Sequence, residues 1–145
     1  MSDDKLKGSK ELIFPAEKYG DDLEDLGITG DFVVTFRHLS EKEINSLPSL
    51  PKMPKSLQLI EEKVAKGEDV DPKKLDELDK FNEQFNKAWD KYLTDFAVKS
   101  IRKWTWDKEV TKENLQELPS VISQAIKLNA SLYNTPTEDD LKNFQ

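Results

Sequence analysis

The feature that most constrains the fold is the stretch from Asp71 to Trp104, in which no glycine or proline follows Pro72. Asp71 can cap a helix, and Pro72 suits its first position because the fixed torsion of proline is already helical. At about 100° per residue, the apolar side chains fall within a sector roughly 140° wide. These residues are Leu75, Leu78, Phe85, Trp89, Tyr92, Leu93, Phe96, Ala97 and Trp104. The pattern predicts one long amphipathic helix over residues 71–104.

A small β element is predicted before this helix. Phe32, Val34 and Phe36 alternate to one side of a strand, and we expect this strand to pair with residues 12–14. The acidic segment 19–30 between the two strands has the composition of an exposed loop.

Short helices flank the long one. Ser40 and Glu43 match a capping box, which predicts a short helix through Leu47. Three prolines between residues 48 and 54 then form a connector, because proline lacks an amide proton and disfavours helix just before it. A further helix is predicted over residues 56–66.

The C-terminal part continues the helical pattern. Thr111 is a candidate cap for a short helix that Pro119 ends. A final helix is predicted over residues 121–132. Its inward side chains are expected to be Val121, Ile122, Ala125, Ile126 and Leu132.

The predicted fold class is therefore mainly α, a small helical bundle around one long helix with a minor N-terminal antiparallel β element. A single, mostly helical domain is expected over residues 11–134. It would comprise the β element with its short helix at 11–47 and a helical part at 56–134. Residues 1–10 are expected to be flexible, and residues 135–145 read as a polar tail.

The amino-acid composition disfavours or excludes several kinds of partner and site. The net charge of -7 and the pI near 4.9 disfavour nucleic acid and anionic lipid as partners. The chain contains no cysteine, which excludes disulfides, thiolate metal sites and cysteine nucleophiles. No apolar run is long enough to predict a membrane span or a secretory signal, so we expect the protein to remain where it is made.

Candidate catalytic groups are few. His38 is the sole histidine and has no metal-binding motif beside it, so a structural role is favoured. The acids at residues 21–25 lack the spacing of a calcium loop. The basic patch at residues 99–104 is interpreted as the end of a helix rather than a nucleic-acid site. These observations predict no catalytic residue, no metal, no cofactor and no enzymatic activity.

The aromatic face of the long helix is the candidate site. A long apolar face usually belongs to a core, yet the neighbouring helices are short, so part of this face is expected to be left for a partner. Trp104 closes the face, and Trp106, just beyond it, is expected to lock the following turn and the last helix onto it. The predicted partner-binding residues are Phe85, Trp89, Tyr92, Phe96, Trp104 and Trp106.

Three segments carry a resemblance to a known family. The long helix ends in I-R-K-W-T-W-D, followed by V-T-K-E-N-L-Q-E-L-P and a terminal apolar helix, and V-V-T-F-R-H-L-S-E-K-E-I lies nearer the N-terminus. Together they resemble the tail assembly chaperones of long-tailed bacteriophages. We do not match the three-proline connector or the full length of the helix at 71–104 to that family.

The resemblance implies a non-enzymatic protein of the infected bacterial cytoplasm. It would bind the tape-measure protein, recruit tail-tube subunits and be absent from the mature virion. Self-association is a further interaction left open. An alternative is a structural or adaptor protein of phage assembly, such as a head-tail joining component. A small enzyme would instead need a concave site around His38 and the acids at 21–25.

Overall fold

The structure is a computed structural model that describes residues 8–136. Predictions for residues 1–7 and 137–145 lie outside the described residues. The elements in chain order are β1 (Glu11–Phe14), α1 (Ala16–Glu24), β2 (Phe32–Phe36), α2 (Glu41–Asn45), α3 (Lys55–Ala65), α4 (Pro72–Ser100), β3 (Ile101–Trp104), α5 (Lys112–Glu117) and α6 (Ser120–Tyr133). The fold is mainly helical, with one long helix and a small antiparallel sheet, in agreement with the predicted class. The arrangement of the helices as one bundle stays a prediction.

The chain divides into two compact units where the sequence predicts one domain over 11–134. Within the described residues, the first unit comprises 8–47 and 93–136, and the second comprises 48–92. The long helix α4 contributes residues to both units. No helix of the described residues is both long and apolar enough to cross a membrane.

The sheet of the first unit has the order β1-β2-β3, and both pairs are antiparallel. Leu12 pairs with Val34 and Phe14 with Phe32, which confirms the pairing predicted from the alternating pattern. The third strand was not predicted. It joins β2 through pairs that include Val34 with Trp104.

The core of the first unit lies between this sheet and α6. Phe32, Val34 and Phe36 are fully buried, and α6 packs against β1 and β2. Ile122 and Ile126 fill the facing side of α6. Burial of each such side chain contributes about 1.5–3 kcal/mol, so this layer stabilises the unit.

The predicted end of the long helix is wrong. The helix stops at Ser100, and residues 101–104 form β3 instead. The carbonyl oxygen of Ser100 accepts from the amide of Arg37 at 2.8 Å, so the chain already bonds to the end of β2 there. Ile101 and Trp104 are buried on the sheet, and this packing outweighs the local preference for continuing the helix.

Two further predictions are corrected. The acidic segment 19–30, predicted as an exposed loop, is helical in its first part, because α1 extends to Glu24. Leu23 and Ile28 of this segment are buried in the core. Val121, predicted to face inward, is 59% exposed. The buried stripe of α6 runs instead through Ile122, Ile126 and Ala130, a four-residue step that places Val121 outside it.

The N-terminal segment, predicted as flexible over 1–10, is tied to α6 at Ser9. The amide of Ser9 donates to Asn129 Oδ1, and Asn129 Nδ2 donates to the carbonyl of Ser9, both at 2.8 Å. Gly8 lies so close to α6 that an added Cβ would meet the backbone nitrogen of Tyr133 at 2.1 Å. Glycine is required at this position because any side chain would collide with the helix.

The second unit contains α3 and the first part of α4. Gly67, at a φ of 74°, lies just past the end of α3, as expected for a residue that tolerates the left-handed region. Asp71 accepts from the amide of Lys73 at 3.0 Å, which confirms it as the cap of α4. Leu57 and Leu78 are buried, whereas Leu59 and Val64 of α3 are exposed.

Candidate partner-binding surface

Four aromatic side chains form a continuous row along α4 in the second unit. We call this row, Phe81, Phe85, Trp89 and Tyr92, the aromatic ladder. Successive ring centroids lie 6.4, 6.4 and 5.6 Å apart, with interplanar angles of 27°, 7° and 12°. The spacing arises because residues three and four apart are neighbours on a helix. The sequence prediction omits Phe81, although its position one turn before Phe85 is the signal that places it in the row.

The ladder is only partly covered. Trp89 is 42% exposed, and Phe81 and Phe85 are half-buried. Tyrosine and tryptophan present large, rigid apolar surfaces and are enriched in protein interfaces for that reason. The row therefore offers a strip of ring surface whose geometry is already set by stacking along one helix.

Six charged side chains of α4 in this unit form three ion pairs. Exposed ion pairs join Lys80 to Asp76 at 3.1 Å, Lys87 to Glu83 at 3.6 Å and Lys74 to Glu77 at 3.7 Å. Each contributes at most about 0.5 kcal/mol, since exposed pairs are screened by water. Residues 48–92 carry nine lysines against ten acids, so the ladder lies in a nearly neutral segment of an acidic protein. Ring surface, rather than charge, is what this helix offers a partner.

The other half of the predicted site is in the core of the first unit. Phe96, Trp104 and Trp106 are all buried, so the structure places them inside the unit rather than on a surface. Phe85, Trp89 and Tyr92 lie in the second unit, and the six predicted residues are therefore divided between the two.

Both indole groups of the first unit hold loops in place. Trp104 Nε1 donates to the carbonyl of Lys108 at 2.7 Å, which closes the turn after β3. Trp106 Nε1 donates to the carbonyl of Leu26 at 3.1 Å, so its ring holds the loop between α1 and β2. The sequence analysis did not predict this bond, because a contact across 80 residues leaves no local signal, and the clasp onto the last helix stays a prediction.

The polar candidates are dispersed. His38 is exposed and stacks on the ring of Tyr133 with centroids 4.1 Å apart. The acids at residues 21–25 lie along α1 and at its end. Within residues 8–136, no group of three or more histidine or carboxylate side chains is arranged to hold a metal ion.

One charged pair of the first unit has a clear structural role. Arg37 Nη1 and Nη2 donate to the two carboxylate oxygens of Glu43 at 3.1 and 2.6 Å. These bonds and that from the Ser40 amide lower the pKa of Glu43 to about 2. Because Glu43 also completes the capping box of α2, the pair fixes α2 to the end of β2.

The fold and the surface thus define a mainly helical protein with a small antiparallel sheet and a partly exposed row of rings. No protein-family model, curated protein sequence or solved structure matches the chain.

Proposed function

We propose that this protein is a tail assembly chaperone of a long-tailed bacteriophage. It binds the tape-measure protein through the aromatic ladder and recruits tail-tube subunits. It acts in the cytoplasm of the infected bacterium without enzymatic activity, and it leaves before the virion is complete. The family assignment rests on the sequence resemblance, and the mode of binding rests on the ladder.

The observation that carries the proposal is the exposure of Trp89 within a stacked row. Its 42% exposed fraction corresponds to about 100 Å² of a tryptophan that can bury roughly 250 Å². At about 25 cal/mol per Å², covering that area contributes roughly 2.5 kcal/mol. Stacking also keeps the rings ordered before binding, which lowers the entropic cost of association.

A partner that fits this surface presents apolar side chains at helical spacing or in an unfolded segment. An amphipathic helix docks through anchors three and four residues apart, and the ladder repeats at the same intervals. Covering such a segment until assembly would prevent the aggregation that exposed apolar surface promotes.

The test is co-expression of this chain with the tape-measure protein of the same phage, followed by affinity purification. Replacing Phe85 and Trp89 by serine should abolish co-purification while the circular dichroism spectrum is retained. The matched control replaces Val121 and Leu128 by serine. These side chains are 59% and 62% exposed on α6, so replacing them removes comparable apolar surface elsewhere on the protein and should leave binding intact.

Retained binding by the folded Phe85/Trp89 variant would refute the ladder as the docking surface. Mass spectrometry of purified virions tests the assignment separately. A chaperone should be absent from the particle, whereas a head-tail joining component should be present in fixed stoichiometry.

A further inference from the structure

The first strand of the sheet, β1, has a free edge. In the order β1-β2-β3 this strand pairs with β2 on one side only within the described residues. The amide of Phe36 donates to the carbonyl of Lys10 at 2.7 Å, which fixes the alternation of hydrogen bonds along the pair. Every second residue from Lys10 directs its main-chain groups toward β2, whereas those of Glu11 and Ile13 point away from it.

The other side of β2 gives the same alternation independently. Glu11 lies opposite Thr35 on β2, and Ile13 lies opposite Val33. Both main-chain groups of Val33 bond to Thr105, each at 3.0 Å, so they face the side of β3 and not Ile13. No hydrogen bond within the described residues reaches the main-chain N–H or C=O of Glu11 or Ile13. Unpaired main-chain groups of this kind are hydrated, so the edge is open to solvent.

The free edge has a defined length. Before it, the N–H and C=O of Ser9 both bond to the side-chain amide of Asn129, which takes the place of a neighbouring strand. After it, Pro15 has no amide hydrogen, and its carbonyl accepts from Tyr19 of α1 at 2.9 Å. Within β1 there is no lysine, proline or bulge, the devices that commonly protect edge strands from pairing. Two outward residues of β1 therefore remain available to another strand.

The segment that carries this edge is acidic. Residues 8–31 contain seven carboxylate side chains and two lysines, so most of the net charge of -7 lies here. Glu11 is exposed within the strand itself. Ile13, two residues away on the same face, is β-branched and 53% exposed. A strand that adds here is attracted when it is basic and carries an apolar residue beside Ile13.

We propose that the β1 edge is a docking strand for a basic, extended segment of a partner protein. The segment pairs antiparallel with β1 and exchanges main-chain hydrogen bonds with Glu11 and Ile13. It places a lysine or arginine beside Glu11 and an apolar residue beside Ile13. The surface lies wholly within the first unit and is independent of the aromatic ladder.

Charge selects this occupant over the other candidates for the edge. In a two-fold pair of β1 strands from two copies of the chain, the acidic segment 8–31 would meet its own copy, and like charges oppose pairing. A nucleic acid would meet the repulsion of an acidic protein and could not complete a main-chain ladder. A basic peptide satisfies both the hydrogen-bonding groups and the charges.

The probe is a short capped peptide in which valine has a lysine two residues before and two residues after it, with threonine between them. It is titrated into the full-length isotope-labelled protein. Binding should shift the amides of residues 10–14 and slow hydrogen exchange at Glu11 and Ile13, whose amides exchange rapidly in the free protein. The affinity should fall as salt is raised.

Variants of the two outward residues test the side-chain contacts. Ile13→Lys should weaken binding about tenfold, because it removes the apolar contact and sets a like charge beside the lysines of the peptide. Val121→Lys, the matched control at a 59% exposed site on α6, should bind like the wild type. Glu11→Gln should weaken binding about threefold, whereas Glu109→Gln, which loses the same charge at an exposed position elsewhere in the unit, should not.

Methylated peptides separate strand addition from simple charge attraction. N-methylation of the valine and lysine amides, which face β1, blocks the main-chain ladder and should weaken binding about tenfold. N-methylation of the threonine amides, which face away from β1, should weaken it far less.

Equal binding of the two methylated peptides, or rapid exchange retained at Glu11 and Ile13 in the complex, would overturn the proposal. Tighter binding of a peptide with glutamate in place of lysine, or of a single-stranded oligonucleotide, would do the same. A dimer of the free protein that Ile13→Lys abolishes would assign the edge to a second copy and also overturn it. The ladder variant F85S/W89S should bind the basic peptide normally, so failure of either proposal is recognisable by itself.

Discussion

Replacing Asn129 tests the long-range contact that ties the N-terminal segment to α6. Its amide group makes two hydrogen bonds with the main chain of Ser9, both at 2.8 Å, across 120 residues of sequence. Each such bond contributes about 0.5–1.5 kcal/mol net, so Asn129→Ala should destabilise the first unit by roughly 1–3 kcal/mol. Leu128→Ala, at a 62% exposed neighbour, should change the stability by less than about 0.5 kcal/mol.

Asn129→Asp gives a sharper test because it changes one atom of the contact. The variant keeps the acceptor for the Ser9 amide but loses the donor for the Ser9 carbonyl, and it places a charge where Asn129 is buried. Burial and the facing carbonyl raise the pKa of the introduced carboxyl above its unfolded value. Its destabilisation should therefore be largest at neutral pH and shrink as the pH falls and the carboxyl binds a proton.

The assay is urea unfolding followed by tryptophan fluorescence in a Trp89→Phe background. The remaining Trp104 and Trp106 are buried in the first unit and report on it alone. Hydrogen exchange at the Ser9 amide gives a local measurement. A stability for Asn129→Ala within about 0.5 kcal/mol of the wild type, with unchanged exchange at Ser9, would refute the reasoning.

Further predictions concern two glycines and an ion pair. Gly8→Ala should destabilise the protein by roughly 1–3 kcal/mol in thermal unfolding, since the new Cβ would lie 2.1 Å from the Tyr133 nitrogen. Gly20→Ala, in the middle of α1 with its nearest atom 3.8 Å away, should instead stabilise by roughly 0.5–1 kcal/mol; the same sign for both would contradict the packing. Because the pKa of Glu43 is lowered to about 2 by Arg37, the stabilising effect of the carboxylate should be complete above its unfolded pKa and vanish as the pH falls toward 2. Urea unfolding of Glu43→Gln at several pH values checks this, and a difference from the wild type that persists unchanged at pH 2 would exclude the pair as its source.

Local signals in the sequence predicted several elements correctly. The alternation through Phe32, Val34 and Phe36 identified β2 and its partner strand, because one face of a strand must be apolar when it covers a core. Ser40, Asp71 and Thr111 were identified as helix caps, and each makes the predicted bond to a backbone amide. The alternation and the caps depend on residues within four positions of one another, so the sequence alone contains the information.

The aromatic ladder was predictable in the same way, since its spacing is a property of one helix. The sequence could not show which aromatic residues remain partly exposed and which are buried in the core. Trp89 and Trp106 were both predicted as partner-binding residues, yet Trp89 is 42% exposed and Trp106 is 4% exposed. The difference arises because Trp106 packs into the first unit and bonds to the Leu26 carbonyl, a contact that exists only once the chain has folded.

The sequence by itself determined the helical class, the caps and the pairing of the first two strands, because each follows from short-range periodicity and hydrogen bonding. Only the tertiary structure decided that the long helix ends at Ser100, that residues 101–104 become the third strand of the sheet, and that Ser9 is held by Asn129. Those outcomes depend on partners distant in sequence, whose packing energy outweighs local preferences of less than about 1 kcal/mol per residue.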